Sequence, residues 1–217
     1  MSTPVDEGML IAQGVYDYSV DDHPRAKEIW RMSQLPDSRI HMQTIFGSGQ
    51  QAFFGMDLIF TAQGVTDELH ARIDERDGKH SVALQFDGGG VRGQITEPAG
   101  QRPVEIALPA GTSVMPQSIA LRYLVGQSLD LTSDAEQPLS LCLIPVIDER
   151  YPPLQPQAVK ALATVLGSEA VELLMATVTA THVLIEWPNH PPQHGWFDER
   201  RFPVQWYWVG HDAQGTS

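Results

Sequence analysis

Three glycines have the spacing of a phosphate-binding loop. Gly88, Gly90 and Gly93 match the pattern G-x-G-x-x-G, and residues 82–86 before them have the composition of a strand. A dinucleotide site requires a helix after the glycines, because the helix N-terminus meets the pyrophosphate. Residues 91–96 instead have the pattern of another strand. We therefore interpret the motif as a glycine-rich hairpin loop and expect no nucleotide or other cofactor.

Two closely spaced histidines, His190 and His194, have the residue type that zinc sites use. Pro191 and Pro192 lie between them and exclude the helix that would align an i, i+4 pair. A metal in this loop would need ligands from elsewhere in the chain, for which the candidates are His182, His211 and Asp198. The sequence predicts a proline-stiffened surface loop and no tightly bound metal.

Aromatic residues are concentrated near the C-terminus. Val204, Trp206 and Trp208 alternate along the last predicted strand, so their side chains share one face. Large aromatics on the concave face of a curved sheet could line an apolar pocket. The predicted ligand-binding residues are Trp206, Trp208, Val204, Trp187, Tyr123, Met42 and Met56. The alternative is that these side chains only fill the core.

Nucleophilic chemistry has little support in the sequence. The chain has no G-x-S-x-G motif, and its single cysteine, Cys142, lies in the apolar run LSLCLIPVI. A reactive thiolate needs nearby positive charge and some exposure, so we interpret Cys142 as a packing residue. An enzyme would have to assemble histidines and carboxylates from distant strands.

The elements that must position these residues are mostly strands. Apolar and polar residues alternate in residues 40–46, 54–60 and 104–108, and turn residues such as Gln63-Gly64 and Asp87 to Gly90 separate such runs. Short strands joined by short turns pair antiparallel, because parallel pairing needs long crossovers. The sequence predicts a mainly β fold with a large, curved antiparallel sheet, a half-barrel or open barrel, and one or two helices on its concave side.

One hairpin is predicted in detail. Asp77-Gly78 suits a two-residue type I′ turn, which would pair Ile73 with Val82. In that register Leu69 lies opposite Phe86. All four apolar side chains then share one buried face.

The C-terminal half has a less regular pattern. Pro116 could begin a short helix, and residues 139–147 have the composition of a fully buried strand. Residues 157–175 fit either a helix ending at Gly167 or a strand that turns there. The whole chain, residues 1–217, is predicted to be a single domain with a frayed tail at 210–217.

Composition limits the partners of the chain. The net charge is −13, and no run of Lys and Arg offers a local exception, so nucleic acid is not expected as a partner. No stretch is long and apolar enough to span a membrane, and the N-terminus has no signal-peptide pattern. We expect a cytoplasmic protein.

The pattern of the whole chain resembles the lipoprotein-carrier superfamily of the LolA and LppX type. The resemblance lies in the long meander, the helix-like insert near residues 115–124, and the closing pattern Trp196-Phe197-Asp198 followed by residues 202–206. It implies a curved antiparallel half-barrel over short helices, with an apolar cavity between them.

Three functional hypotheses follow from these observations. The first is a non-catalytic binder or carrier of an apolar small molecule. The second is a structural or interaction protein, such as a homodimer, whose aromatic surface meets another chain. The third is an enzyme with a His and carboxylate site assembled from distant strands.

Overall fold

A computed structural model of the chain describes residues 8–20, 23–47, 53–75, 78–146, 152–173 and 176–208. The N-terminal half forms one antiparallel sheet in which eight strands pair in chain order, which confirms the predicted large antiparallel sheet. Its strands are β1 (Met9–Val20), β2 (His23–Gln34), β3 (Ile40–Gly47), β4 (Phe53–Phe60), β5 (Thr66–Glu75), β6 (Gly78–Phe86), β7 (Gly90–Glu97) and β8 (Gly100–Ala107).

The inner face of this sheet follows from the period of two. Met42, Leu58, Leu69 and Leu84 lie on adjacent strands, and each is almost completely buried. Alternation sends their polar neighbours to the opposite face. Burial of each such side chain contributes about 1.5–3 kcal/mol, so the alternating pattern explains why this sheet forms.

The register of the β5–β6 hairpin differs from the prediction. Ala71, not Ile73, pairs with Val82, because β6 begins at Gly78, which pairs with Glu75. The shift is two residues, so the predicted face is kept: Leu69, Ile73 and Val82 are buried, and Phe86 is half-buried. Asp77 lies outside the described residues. At Gly78 an added Cβ would lie 2.3 Å from Pro98 Cγ, so the glycine permits close packing.

The second half forms a six-stranded sheet with the order β14-β13-β12-β11-β10-β9. Its strands are β9 (Ser113–Pro116), β10 (Gln137–Ile144), β11 (Gln157–Leu173), β12 (Ala176–Glu186), β13 (Gln193–Phe197) and β14 (Pro203–Trp208). β9 and β10 are parallel, and the other pairs are antiparallel. The sequence did not predict this second sheet or its parallel pair.

The ambiguous segment at 157–175 is a strand over its described residues. β11 runs through Gly167, where φ is +127° and the register with β12 shifts by one residue. Glycine adopts this conformation without the steric penalty of a Cβ. Gly167 therefore forms a bulge inside a long strand rather than ending a helix.

The helical insert begins later than predicted. Pro116 is the last residue of β9, where it pairs with Ile144. A 3₁₀ turn (Ala120–Arg122) and helix α1 (Tyr123–Ser128) follow. Residues 113–116 pair as a strand, so the helix does not begin at Pro116 as the sequence suggested.

Two apolar clusters lie on opposite faces of β9 and β10. Cys142 and Ile144 belong to the cluster that the large sheet covers, whereas Leu141 and Leu143 belong to the other. The predicted burial of residues 139–147 on both faces is thus confirmed over the described part of that segment, and Ile147 lies outside it. Burial raises the pKa of the Cys142 thiol to about 12, as expected of a packing residue.

The 3₁₀ turn and α1 together join the same two clusters. Leu121 and Leu124 pack in the first, and Val125 packs in the second. No helix among the described residues is long and apolar enough to cross a membrane. The predicted tail at 210–217 lies outside the described residues.

Candidate functional site

A cleft of about 260 Å³ lies where one end of the large sheet meets α1. The turns β4–β5, β6–β7 and β8–β9 border it, and Leu124, Gln127 and Ser128 of α1 contribute to its other wall. Alternate connections of an antiparallel meander fall at the same end of the sheet, so the topology brings the three turns together.

Local hydrogen bonds shape these turns. In the first turn, the Thr61 N–H donates to the Val65 carbonyl over 2.8 Å, and Gly64 has a φ of +80°. In the third turn, the Thr112 N–H donates to the Pro109 carbonyl over 3.2 Å. The turns are therefore held by their own backbone hydrogen bonds.

The first glycines of the motif form the second turn, and Gly93 lies within β7. Gly88 has a φ of +79° in the loop between β6 and β7, and Gly88 and Gly90 both line the cleft. The prediction of a glycine-rich hairpin loop is confirmed, since β7 follows directly where a dinucleotide site would need a helix. Two of the three motif glycines are thus part of the candidate site.

The deeper walls of the cleft are apolar. Phe86, Leu108 and Leu124 line it, and Leu108 and Leu124 belong to the core cluster beneath the large sheet. Amide and hydroxyl side chains such as Gln63 and Thr112 lie among the same lining residues. An apolar interior with a few neutral hydrogen-bonding groups is typical of small-molecule pockets.

Sequence reasoning did not find this cleft. The signals were present, since Gln63-Gly64 and Asp87 to Gly90 are strong turn sequences separated by one hairpin unit. Counting strands would have placed both turns at the same end of the sheet. The helix wall could not be foreseen, because its position depends on a long-range contact.

That contact is the buried carboxylate of Glu28 on β2. Its oxygens accept hydrogen bonds from the Ser118 hydroxyl, from the Tyr18 hydroxyl over 2.7 Å and from the Ile119 N–H over 3.0 Å. Burial raises the pKa of Glu28, and the hydrogen bonds from Ser118 and Tyr18 oppose that rise. The carboxylate satisfies a backbone N–H at the start of the helical segment, so it fixes α1 against the large sheet.

Arg122 is a buried cation beside this carboxylate. Burial lowers the pKa of Arg122 to about 10, and the charges of Tyr18 and Glu28 oppose the shift. Its Nε and Nη1 are buried and have no hydrogen-bond partner among the described residues. Its guanidinium carbon lies 5.0 Å from the centre of the Trp206 ring, a distance typical of a cation–π contact.

Trp206, the leading predicted ligand-binding residue, is packed in the second apolar cluster. Its Nε1 donates to Gln193 Oε1 over 3.0 Å, and its ring meets Phe197 edge-on at 6.0 Å. Together with Arg122, these groups surround the indole and satisfy its N–H. Trp206 does not line the cleft at α1.

The other predicted binding residues divide between the two clusters. Met42 and Met56 are buried under the large sheet, whereas Trp187 is buried in the second cluster. Tyr123 is half-buried against Phe202, with ring centres 4.7 Å apart. Val204 is half-buried on β14, and the Trp208 side chain lies outside the described residues. Met42, Met56 and Trp187 thus divide between the two clusters, and no described member of the predicted set lines the cleft at α1.

A histidine and carboxylate cluster lies on β11, β12 and β13. His182 Nδ1 is 3.2 Å from Glu169 Oε1, and His182 Nε2 is 2.9 Å from His194 Nδ1. Trp196 stacks on His182 with ring centres 4.2 Å apart and donates its Nε1–H to Glu169. Burial lowers the pKa of His182, His194 lowers it further and Glu169 opposes the shift. Two hydrogen bonds, His182–His194 and Trp196–Glu169, and one ion-pair contact, Glu169–His182, thus connect these groups.

His190 is not part of that cluster. Its ring lies beside Trp187, with ring centres 5.1 Å apart. Of the metal ligands considered in the sequence analysis, His182 and His194 are in contact with each other. His190 lies apart from them, and His211 lies outside the described residues. The described part of the chain holds no group of three or more His, Cys, Asp or Glu residues suited to a metal ion.

A second cleft, of about 510 Å³, lies on the outer face of the large sheet. Ala83 and Gly93 form a low floor there, and longer polar side chains such as Glu68, Arg92 and Glu105 form the rim. Its described lining residues all come from β5 to β8, and none comes from α1. The smaller cleft at α1 is the better candidate for a ligand site, because the large sheet and α1 enclose it and its interior is apolar.

An exposed apolar row also crosses the outer face. Val15, Ile29 and Ile45 are direct cross-strand neighbours and are each about half exposed. A specific interface uses about 20–30 residues on each side. Three side chains are too few to define one.

Comparisons with known proteins indicate a fold but no family. No family model matches the chain, and no curated protein matches it. The crystal structure of a DUF1089 family protein from Pseudomonas aeruginosa is similar, with a TM-score of 0.52 and 12% identity over 97% of this chain and 96% of that one. At that identity the likeness concerns the fold alone.

Proposed function

We propose that this protein binds a small molecule with an apolar body in the cleft at α1, without changing it chemically. The observation that carries the proposal is the apolar wall of Phe86, Leu108 and Leu124 inside a partly enclosed cleft. A ligand that covers this wall removes apolar surface from water, which contributes about 25 cal/mol for each Å² buried. The volume of about 260 Å³ limits the ligand to a small one, or to one end of a longer chain.

The position of the cleft supports the same function. The resemblance to LolA- and LppX-type carriers implies an apolar cavity between an antiparallel sheet and short helices. The cleft at α1 lies between such elements, although it is reached from the turns and not from the C-terminal aromatics. A carrier role, in which the ligand is passed to another protein, is part of this proposal.

The test uses a substitution that fills the cleft. Val65 lines it and is 56% exposed, so tryptophan at this position can block the cleft without disturbing the core. We expect 1-octanol to bind the native protein saturably in isothermal titration calorimetry. We expect Val65→Trp to weaken that binding at least about tenfold, a loss of about 1.4 kcal/mol.

The matched control is Val15→Trp. Val15 is 55% exposed and lies on the outer face of the large sheet, so this variant adds the same side chain away from the cleft. Its affinity for octanol should equal that of the native protein. Equal binding by both variants would contradict the proposal, as would the absence of saturable binding to the native protein.

A further variant separates this cleft from the aromatic site predicted from the sequence. Trp206→Phe leaves the lining of the cleft intact, so octanol affinity should change little. A large loss in this variant would instead favour a ligand beside Trp206 and Trp208.

The His182 cluster supports a second candidate function, hydrolysis. If Glu169 accepts the His182 Nδ1–H, His182 Nε2 can accept the His194 Nδ1–H, and His194 Nε2 remains as a proton acceptor. His194 would take a proton from water while the water oxygen attacks an ester carbonyl. The ester C–O bond then breaks, and the proton passes to the departing alcohol.

Hydrolysis of p-nitrophenyl acetate tests this second candidate. His194→Ala should lower the rate of hydrolysis at pH 7.5 at least about tenfold. Loss of a general base usually costs about a hundredfold or more, so this expectation is a lower bound. His190→Ala is the matched control, because His190 lies outside the cluster in the neighbouring loop. Equal rates in the two variants would assign the activity to exposed histidines in general and would reject the hydrolase.

A further inference from the structure

We infer that the ligand of the cleft at α1 is uncharged and carries a hydroxyl group, an inference that rests on the proposed binding function. Charged residues make up 19% of the chain, yet none of the fifteen described residues that line the cleft is charged. A carboxylate or ammonium group placed there would lose its hydration without gaining an ion-pair partner. Such uncompensated burial is strongly unfavourable.

The hydroxyls of the lining indicate which neutral group the ligand carries. Of the four described hydroxyls in the lining, those of Thr66, Thr112, Ser113 and Ser128, the Thr66 hydroxyl is buried and has no hydrogen-bond partner among the described residues. Two others have a defined direction: Thr112 Oγ1 donates to the Pro109 carbonyl over 2.6 Å, and Ser128 Oγ donates to the Val125 carbonyl over 2.8 Å. Both protons are therefore engaged, whereas the oxygens keep lone pairs that can accept. A ligand hydroxyl can donate to such oxygens, but an ether or a simple ester cannot.

The amides of the lining fit the same ligand. Gln63 and Gln127 both line the cleft, one in the β4–β5 turn and the other on α1. Each amide can both donate and accept, so the pair can satisfy the remaining lone pairs of a ligand hydroxyl. The apolar chain of the ligand would then lie against Phe86 and Leu108.

Charge on the whole protein acts against anions as well. The net charge is −13, so an anionic ligand approaches against the average field. A cationic ligand is not repelled, but the lining offers it no carboxylate. Long-chain alcohols are thus preferred over fatty acids and over amines, each for its own reason.

A matched series of probes tests the inference by calorimetry. The probes are 1-octanol, octanoate, octylammonium and heptyl methyl ether, which have similar apolar chains and different head groups. We expect octanol to bind at least about tenfold more tightly than either ion. The ether should bind more weakly than octanol, because it cannot donate a hydrogen bond.

Charge variants of one lining residue give an independent test. Gln127→Lys places a cation in the lining and should raise the octanoate affinity relative to octanol about tenfold, whereas Gln127→Glu should do the same for octylammonium. Gln94→Lys on the outer sheet face is the control and should leave the ratio unchanged.

The possible results separate the two proposals. Octanoate or octylammonium binding as tightly as octanol, with Val65→Trp blocking both, would overturn the inference and leave the binding function standing. If the ether binds as tightly as octanol, the ligand does not need a hydroxyl group, and that part of the inference is wrong. If no probe binds the native protein, the binding function itself is wrong.

Discussion

Glu28 illustrates how single residues position the candidate site. Its buried carboxylate accepts hydrogen bonds from the Ser118 and Tyr18 hydroxyls and from the Ile119 N–H. Removing the acceptor would leave these donors buried and unpaired. It would also leave Arg122 as a buried cation without a nearby carboxylate.

We expect Glu28→Gln to lower the free energy of unfolding by roughly 2–4 kcal/mol, as for other buried, hydrogen-bonded charges that lose a partner. Urea denaturation at pH 7 measures the change. Glu105→Gln, an exposed carboxylate on β8, should change stability by no more than about 0.5 kcal/mol. A Glu28→Gln variant as stable as this control would show that the carboxylate does not hold the helix.

The two neighbours of His182 should shift its pKa in opposite directions. Burial lowers the pKa of His182, Glu169 raises it and His194 lowers it. Glu169→Gln should therefore lower the pKa further, and His194→Gln should raise it towards 6.5. NMR titration of the imidazole protons measures both shifts, and Glu172→Gln on the same strand serves as a control that leaves the pKa unchanged.

The same lowered pKa has a consequence for stability. A histidine whose pKa is lower in the folded than in the unfolded chain stabilises the fold above pH 6.5, and this contribution is lost as the pH falls through the folded pKa. The native protein should thus lose more stability between pH 7 and pH 5 than His182→Gln does. Parallel pH profiles for the two proteins would argue against a lowered pKa of His182 in the folded protein.

At the scale of elements, β5 shows why the alternating pattern predicts faces better than partners. Ile73 is fully buried, and His70, three residues earlier, lies on the opposite, exposed face. The predicted register was wrong by two residues, yet every predicted face was kept, because a shift of two preserves the alternation.

Ile73→Asp should cost about 3–5 kcal/mol of unfolding free energy, because it buries an unpaired charge and removes apolar contacts. His70→Asp makes the same new side chain on the outer face and should cost less than about 1 kcal/mol. Thermal and urea denaturation compare the two variants. Similar losses in both would mean that β5 does not present Ile73 to the core.

The whole molecule is organised around elements shared between its two sheets. β9, β10 and α1 each contribute side chains to both apolar clusters. Neither sheet can lose its cluster without exposing part of these shared elements. We therefore propose that the two sheets unfold together, as the prediction of a single domain implies.

We expect one cooperative unfolding transition. Circular dichroism reports on both sheets. Fluorescence is dominated by the tryptophans. Trp30 lies under the large sheet, and Trp187, Trp196 and Trp206 lie in the second half of the chain. The two signals should give the same urea midpoint. Two separated transitions would show that the sheets unfold independently.

Local patterns determined much of this fold. The alternation around Met42 and Leu58, the turn residues at Gln63-Gly64 and the apolar run around Cys142 predicted strands, turns and a doubly buried segment, and each is observed. The start of the helix and the nature of residues 157–173 were not determined locally. Strand pairing at Pro116 and the bulge at Gly167 decided them through contacts with residues far along the chain.

The candidate site depended on tertiary structure throughout. The sequence by itself determined that the chain is mainly β, that its glycine motif is a hairpin loop and that Trp206 faces the interior, since these follow from a period of two and from local turn chemistry. Only the tertiary structure decided that Trp206 packs against Arg122 and that three distant turns meet α1 around a cleft. Side-chain direction is a local property of the backbone, whereas enclosure of a cavity requires contacts such as that between Glu28 and Ser118, 90 residues apart.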